Sequence, residues 1–458
     1  MPTPTGPQVF NTLIMSGKET GLYGVPTAAN LVVGMNAASG QYATTATYHW
    51  VTEPSFQPRA LRHIPDEGFR GVAGQDFDLI PGPGNGTVGF GGMVYLDSFP
   101  HILQNMMGTD QVGTVVNSGY THQMTSATTP ASYTYQWAQG IQAYQFPGTR
   151  LTSIRLSFNA SDGALTYQAQ GTSKLGVALA TNPLTTGAAN AVGYEYPLDA
   201  NLTRAAAGWQ GLMVIDGTVA GSGGVASVME GELTFSRQLT PIHSLNGTQD
   251  VSLIYAGPLQ VQGRLTLDWY DSKALGYFEG NSANALGAVS NPVRLQFTLP
   301  STATGTATGT ASIAIAVINA YGVPAPCVVT STVGTFTAQM VGGTLTIGST
   351  VTNIIGFTSA TSVTVSGGAC GYYNNPASPS QTAVASASYS VTYSNRTLAI
   401  SMQKAAWRQV DIERSGAIYT QVGNITALYT GATWGASATP GDTGPCKVTV
   451  VNGYASQY

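Results

Sequence analysis

Arg150-Leu-Thr-Ser-Ile-Arg-Leu-Ser-Phe158 decides the fold class, together with Val261-Gln-Gly-Arg-Leu-Thr-Leu-Asp-Trp269. In the first, Ile154, Leu156 and Phe158 recur at every second position; in the second, Val261, Gly263, Leu265, Leu267 and Trp269 do the same. An extended chain turns successive side chains to opposite faces, so this spacing makes a strand half-buried in an antiparallel sheet. Thr, Val and Tyr abound elsewhere and suit a pleated surface. Turns are marked by Pro81-Gly-Pro-Gly-Asn-Gly86, Ser161-Asp-Gly163 and Ser222-Gly-Gly224, where glycine permits positive φ. The expected class is all-β with one or two short helices.

The clearer helix follows Gly92-Met-Val-Tyr-Leu-Asp97. Asp97 stands at a cap position, Phe99, Ile102, Leu103 and Met106 form a stripe, and Gly108 stops the helix. Pro100 is tolerable because it falls in the first turn. The stripe is expected to lie against the adjacent sheet.

The same segment opens an internal repeat. It aligns without a gap on Gly263-Arg-Leu-Thr-Leu-Asp268, and each copy precedes a short helix, bearing Leu103 or Leu275. More loosely, residues Thr149 to Tyr167 match Lys404 to Tyr419: a strand, a turn ending in Gly-Ala, a second strand. This gives two tandem β-barrel or sandwich domains, residues 1–212 with an N-terminal arm, and residues 213–300 with 393–458. The second is split by an insert at 301–392.

The insert coincides with the oddest composition in the chain. Between Arg294 and Arg396 no Asp, Glu, Lys or Arg occurs in 101 residues. Ser301 to Gly309 and Ala383 to Tyr389 frame it and read as flexible or extended junctions. Seven strand-like runs lie between or beside them: Ile313 to Ile318, Cys327 to Thr330, Gly334 to Met340, Thr344 to Ile347, Val351 to Ile355, Ser362 to Val365 and Tyr389 to Thr392. Short strands so closely spaced fit an immunoglobulin-like sandwich. A long hairpin arm with a low-complexity tip is the alternative.

Across all 458 residues only 8% are ionic, 17 Lys+Arg and 21 Asp+Glu, where about 25% is usual. A net charge of -4 gives no basic footprint for gripping nucleic acid or anionic lipid. With 43% hydrophobic residues the chain can bury a core, so disorder is not expected. No run of about 18 apolar residues is present, and Met1-Pro2-Thr3-Pro4-Thr5-Gly6-Pro7 lacks a basic start, so neither membrane insertion nor secretion is expected. Cys327, Cys370 and Cys446 are too scattered for a disulfide scaffold or a zinc site; a Cys327 to Cys370 bridge and free buried thiols both remain open.

Catalytic patterns are missing: no Gly-x-Ser-x-Gly, no His-Glu-x-x-His, no phosphate-binding glycine loop. His49, His63, His101, His122 and His243 are isolated in sequence and read as surface or satisfied core residues. The acid pairs Asp76/Asp78 and Asp66/Glu67 lie near glycines and read as solvated rather than as glycosidase carboxylates. Trp209, Trp407 and Trp434 are expected in the core rather than on a sugar-stacking surface. No catalytic, cofactor-binding or metal-binding residue is assigned, and no enzyme is expected.

Ser16-Gly-Lys-Glu-Thr-Gly-Leu-Tyr-Gly-Val-Pro26 resembles the Gly-x-Glu-Thr opening, closed by Gly-x-Pro, of tail tube (major tail) proteins of long, non-contractile-tailed bacteriophages. Gly91 to Gly108 resembles that family's strand and short flanking helix. Val225 to Arg237, continuing to Trp269, is similar to its strand, loop, strand pattern, and Cys446-Lys-Val-Thr-Val-Val-Asn452 to its closing strand. The likeness covers residues 10 to 300 and 394 to 458; the uncharged block departs from it, as immunoglobulin-like decorations of such proteins do. The resemblance implies subunits whose sheets join into an inner β-ring, with rings stacked into a conduit for genome delivery. Two copies per chain imply a homotrimeric, pseudo-hexameric ring, a homohexamer being the alternative. Implied partners are further copies of the chain, the tape measure protein, and tail tip and terminator proteins. DNA passes through the lumen without specific binding, and the location is the virion tail, assembled in the host cytoplasm. The part before residue 60 and the loop from Ile80 to Gly86 are the candidates for ring-to-ring contact.

A shortage of charge suits a subunit whose edges and faces meet copies of itself. A surface-layer or adhesin-type β protein shares the composition and is the rival reading. A carbohydrate-binding or depolymerising tail protein should show clustered carboxylates or a solenoid repeat, and neither is found.

Overall fold

A computed structural model describes residues 13–19, 23–24, 34–35, 42–43, 47–49, 51–52, 54–66, 78–96, 98–116, 119–138, 142–161, 163–179, 205–215, 218–219, 227–268, 290–299, 306–313, 327–331, 336, 344–347, 350–365, 384–392, 396–415, 418–429 and 444–452. Antiparallel strands make up nearly all of this, as the alternating sequences require. The chain begins with β1 (Leu13–Lys18), β2 (Gly34–Met35), β3 (Tyr42–Ala43), β4 (Thr47–His49), β5 (Ser55–Asp66) and β6 (Asp78–Met93). After helix α1 (Phe99–Met107) come β7 (Gln111–Val116), β8 (Gly119–Thr125), β9 (Tyr133–Ala138), β10 (Ala143–Asn159), β11 (Thr166–Ser173) and β12 (Val177–Ala178). Then follow β13 (Gly211–Ile215), β14 (Thr218–Val219), β15 (Val228–Ile242), β16 (Leu253–Asp268) and β17 (Ser290–Leu299). The uncharged block holds β18 (Thr306–Ile313), β19 (Cys327–Ser331), β20 (Thr344–Ile347), β21 (Thr350–Ser359), β22 (Ser362–Val365) and β23 (Val384–Thr392). The chain closes with β24 (Arg396–Ser415), β25 (Ile418–Ala427) and β26 (Lys447–Asn452).

Two long strands organise the sheets. The first half of β10 pairs with β9, and its second half lies between β11 and β15. The first half of β24 pairs with β17 and β26, and its second half pairs with β25. The result is one run of eight neighbours, β5-β6-β11-β10-β15-β16-β25-β24. Strands β18 to β23 pair only among themselves within the described residues.

Apolar residues of alternate positions on these strands, including Ile154, Leu156, Phe235, Val261, Leu265 and Trp407, form one core. Trp407 finds room there because Gly423, beside it on β25, has no side chain; a Cβ would stand 2.2 Å from the indole. Helix α1 lies inside that core with all nine residues buried, so it is covered on more sides than the apolar stripe alone predicted. Ser98, whose side chain makes no cap bond, precedes it; Asp97 lies outside the described residues. Gly108 ends it at φ 99°, in the left-handed region glycine tolerates. The segment bearing Leu275 also lies outside the described residues.

Other expectations need adjustment. The junctions read as flexible or extended are extended where they are described, and they form the ladder that joins the ends of the uncharged block: Thr306–Ile313 pairs with Val384–Thr392. Alternating Thr with small residues builds a strand as readily as a linker. Of the run expected from Ile313 to Ile318 only Ile313 is described, as the last described residue of β18; the rest lies outside the described residues. Of Gly334 to Met340 only Phe336 is described, buried and 5.1 Å from the Tyr389 ring.

Candidate assembly interface

The eight-stranded run is two copies of one four-stranded pattern. A hairpin (β5–β6) pairs through β6 with β11, and β11 with the second half of β10; a hairpin (β15–β16) pairs through β16 with β25, and β25 with the second half of β24. The bulges agree. Strand β10 has an extra residue between Phe146 and Thr149 and another between Leu151 and Ser153. Strand β24 has one between Met402 and Ala405 and another between Trp407 and Gln409. These matches place Leu156 over Ile412, Phe56 over Leu233, and all of β6 over all of β16. The gap-free alignment of Gly92 with Gly263 is therefore four residues out of register. A four-residue slip keeps every side chain on its own face, so alternation cannot detect it.

One neighbour distinguishes the copies. Beside the second half of β10 lies β15, with Leu156 opposite Leu233 and Ser157 opposite Glu232. Beside the second half of β24 there is no strand among the described residues, and the outer side of β5 is likewise unpaired. Leu156 is fully buried and Ile412 is 43% exposed. Among the described residues the sheet thus ends in two edges with no strand beside them, although on β5 the Pro58 carbonyl accepts from the Gly176 amide at 2.7 Å.

The outward face is polar: Ser55, Gln57, Gln168, Gln170, Gln260, Gln262, Thr266 and Gln409, with Arg59, Arg155 and Arg264 set among Glu230, Glu232, Asp411 and Glu413. Arg155 pairs with Glu232 across the β10–β15 seam. A shallow open groove on this face, lined by Asn159, Glu230, Glu232 and Arg264, has no catalytic grouping. Hairpins β5–β6 and β15–β16 run on beyond the strands that flank them and expose Ile64, Leu79, Ile80, Ile242, Leu245 and Tyr255. The other end of the sheet exposes Met93, Met229, Tyr419 and Trp209. Trp209 was expected inside; it sits instead on a single 3-10 turn whose Gly208 packs against the Asn159 backbone. Trp407 is buried, and Trp434 lies outside the described residues.

Buried charges hold this frame. Glu19, read only as part of an N-terminal pattern, accepts bonds from Ser132 Oγ at 2.5 Å, Thr134 Oγ1 and the Gly148 amide at 2.7 Å, and the Gly24 amide at 2.8 Å. Glu19 thus holds Ser132, Thr134 and the Gly148 turn together, and β1 beside it pairs with β4 and β9. Arg237, invisible to the sequence as anything but a strand residue, donates to the carbonyls of Met106, Gly257 and Ala127, each at 2.9 Å. It thereby caps the C-terminal end of α1, where the helix dipole favours a cation. Burial lowers its pKa to about 10, and it stays charged. Arg150 Nη1 donates to the Ile254 carbonyl at 2.7 Å and ties β10 to β16.

The histidines divide. His63 and His243 are exposed, whereas His49, His101 and His122 are buried. These three are not isolated: burial, His49, His122 and Lys18 together hold His101 well below the usual imidazole range. His122 Nδ1 meets Asp110 at 3.1 Å. Ser16 Oγ and His49 Nε2 lie 2.6 Å apart, the nearest approach to a nucleophile–base pair. Burial lowers His49 to about 3, and its Nδ1 has no carboxylate to orient it, so the arrangement that activates a serine is incomplete. Among the described residues no three His, Cys, Asp or Glu are grouped to hold a metal ion. Asp66 and Asp78 face each other at the end of the β5–β6 ladder, while Glu67 and Asp76 lie outside the described residues. Cys446 is a buried free thiol, raised to about 12 by burial; Cys370 lies outside the described residues.

No curated protein matches this chain. A family model does, over residues 10–316, well over half the chain: it is described as the phage tail tube protein, and the chain belongs to that family.

Proposed function

We propose that this structural protein of the phage tail builds the tube wall as stacked rings that conduct the genome during delivery. The observation that carries the reading is the pair of open edges at the two ends of an otherwise continuous eight-stranded sheet. Edge strands of this length are a liability in a monomer and a means of assembly in a polymer. An edge that meets a different edge makes a heterologous contact, which closes into a ring when the rotation permits. Because each chain brings the four-stranded pattern twice, three chains give a ring of six patterns, and the expected assembly is a homotrimer with pseudo-sixfold symmetry.

The tandem repeat makes two tube domains, the second interrupted by β18 to β23, which form an external immunoglobulin-like decoration. The exposed apolar ends of the two long hairpins stack on the opposite end of the next ring, where Met93, Trp209, Met229 and Tyr419 lie exposed. The outward polar face lines the lumen. Its balance of arginines with carboxylates gives DNA no electrostatic grip. Catalysis has no part in this role, and assembly takes place in the host cytoplasm on the tape measure protein, bounded by tail tip and terminator proteins. Negative-stain microscopy with native mass measurement tests the reading. Tubes or channelled rings of three chains are expected; monodisperse monomers at high concentration overturn it, and rings of six chains overturn the trimer.

A further inference from the structure

We propose that the open edge of β24 takes up β5 of the next copy in the register that β10 and β15 already show within one chain. This rests on the ring-forming reading and assigns its contact residue by residue. The internal seam is the template. It pairs Ser153 with Ser236, Arg155 with Thr234, Leu156 with Leu233 and Ser157 with Glu232. The bulges place β24 on β10 and the hairpin ladders place β5 on β15, so each internal pair has an intermolecular counterpart. Gln409 then stands opposite Ala60 of the next copy, Asp411 opposite Gln57, Ile412 opposite Phe56 and Glu413 opposite Ser55, with the Pro58–Arg59 bulge of β5 facing Val410.

Three observations favour a second copy over any other occupant. Among the described residues the two edges do not pair with each other, although neither has a strand beside it. Ile412, 43% exposed, occupies the position where Leu156 is fully covered, and Phe56 would bring an aromatic group to it that is already fixed by Trp137 at 5.3 Å and Phe146 at 5.1 Å. The charges are complementary too: Arg59 comes diagonally beside Asp411, within the reach of a long side chain across a strand pair, as Arg155 reaches Glu232 in the internal seam.

Cysteines at Asp411 and Gln57 test the register in assembled tubes. Oxidation of the Asp411→Cys, Gln57→Cys double variant should give covalent dimers and trimers. The two single variants set the background from native thiols, and Asp411→Cys with His63→Cys, out of register, should give none. Hydrogen exchange on unmodified protein supplies a second readout. Amides of residues 55–57, 59 and 409–415 should slow on the order of tenfold or more when monomers become tubes. Tubes that form without the in-register crosslink and without this protection overturn the seam and leave the tube reading standing, as does a crosslink confined to one chain. If the unmodified protein forms neither rings nor tubes, both fall together.

Discussion

The two halves of the eight-stranded sheet share a ladder and differ in what the ladder meets. Strand β10 has β15 beside it, and the seam buries Leu156 against Leu233. The second half of β24 has no strand in that place among the described residues, and Ile412 shows the consequence in its exposure. The halves also differ inside. His49 lies on β4, His101 on α1 and His122 on β8, while β15, β16, β24 and β25 bury Arg237 but no histidine among the described residues. In the proposed seam the same contact is made once within the fold and once between copies, so folding and polymerisation should be separately perturbable.

Acid should separate the halves most. Burial holds His49 at about 3, against about 6.5 in an unfolded chain. Between those values the unfolded chain binds a proton that the folded one refuses. Stability is therefore full above about pH 6.5, falls as the pH drops toward 3, and levels off below it. His101, lowered in the same direction by burial and by its cationic neighbours, adds to the loss. Thermal melts from pH 7 to 4 should show a steep decline of several kcal/mol, and hydrogen exchange should open β1, β4 and β9 before β16 and β25. A stability independent of pH over that range would mean the histidines reach water.

Arg237 comes next. Replacing it with leucine orphans buried carbonyls at the end of α1 and on β16, at a cost of about 3–5 kcal/mol. Denaturant midpoints measure this, and lysine, which has a charge but no planar fork, should restore only part of it. A smaller contrast lies at Leu156 and Ile412. Leu156→Ala should cost about 2–4 kcal/mol in the monomer, and Ile412→Ala under about 0.5 kcal/mol there while weakening tube formation. Equal destabilisation of the monomer by both would show that the edge of β24 is already covered.

How much of this the sequence disclosed depends on range. Alternation in Arg150 to Phe158 announced the strand and the buried face of Ile154, Leu156 and Phe158, because period two is local. Gly108 announced the helix end for the same reason. The repeat was visible, but its register was not, since a slip of four residues preserves the faces. Arg237 gave no sign of burial, because its partners are backbone carbonyls from three distant segments and a carbonyl has no letter in a sequence. Trp209 misled for the opposite reason: apolar neighbours suggested a core, yet the strand beside it starts at the sheet's end, where an indole faces outward. The open edges belong to neither kind of signal, because only pairing reveals which strand lacks a neighbour.

The smallest effect concerns the charges across the two seams. Arg155 and Glu232 are paired but half-exposed, at 52% and 30% of their side-chain surfaces, so water screens them. Arg155→Gln should lower monomer stability by under about 1 kcal/mol, and 0.5 M salt should erase the difference. Arg59 and Asp411 carry the matching charges at the open edges, where the cost falls on encounter rather than on folding. Arg59→Gln should leave the melting curve unchanged and slow tube growth at low salt, because steering by opposite charges acts before contact is made. Exchanging the pair, Arg59→Asp with Asp411→Arg, should restore the rate that either single change removes. If the exchanged protein grows no faster than the single variants, the two residues do not meet, and the register that aligns them is wrong.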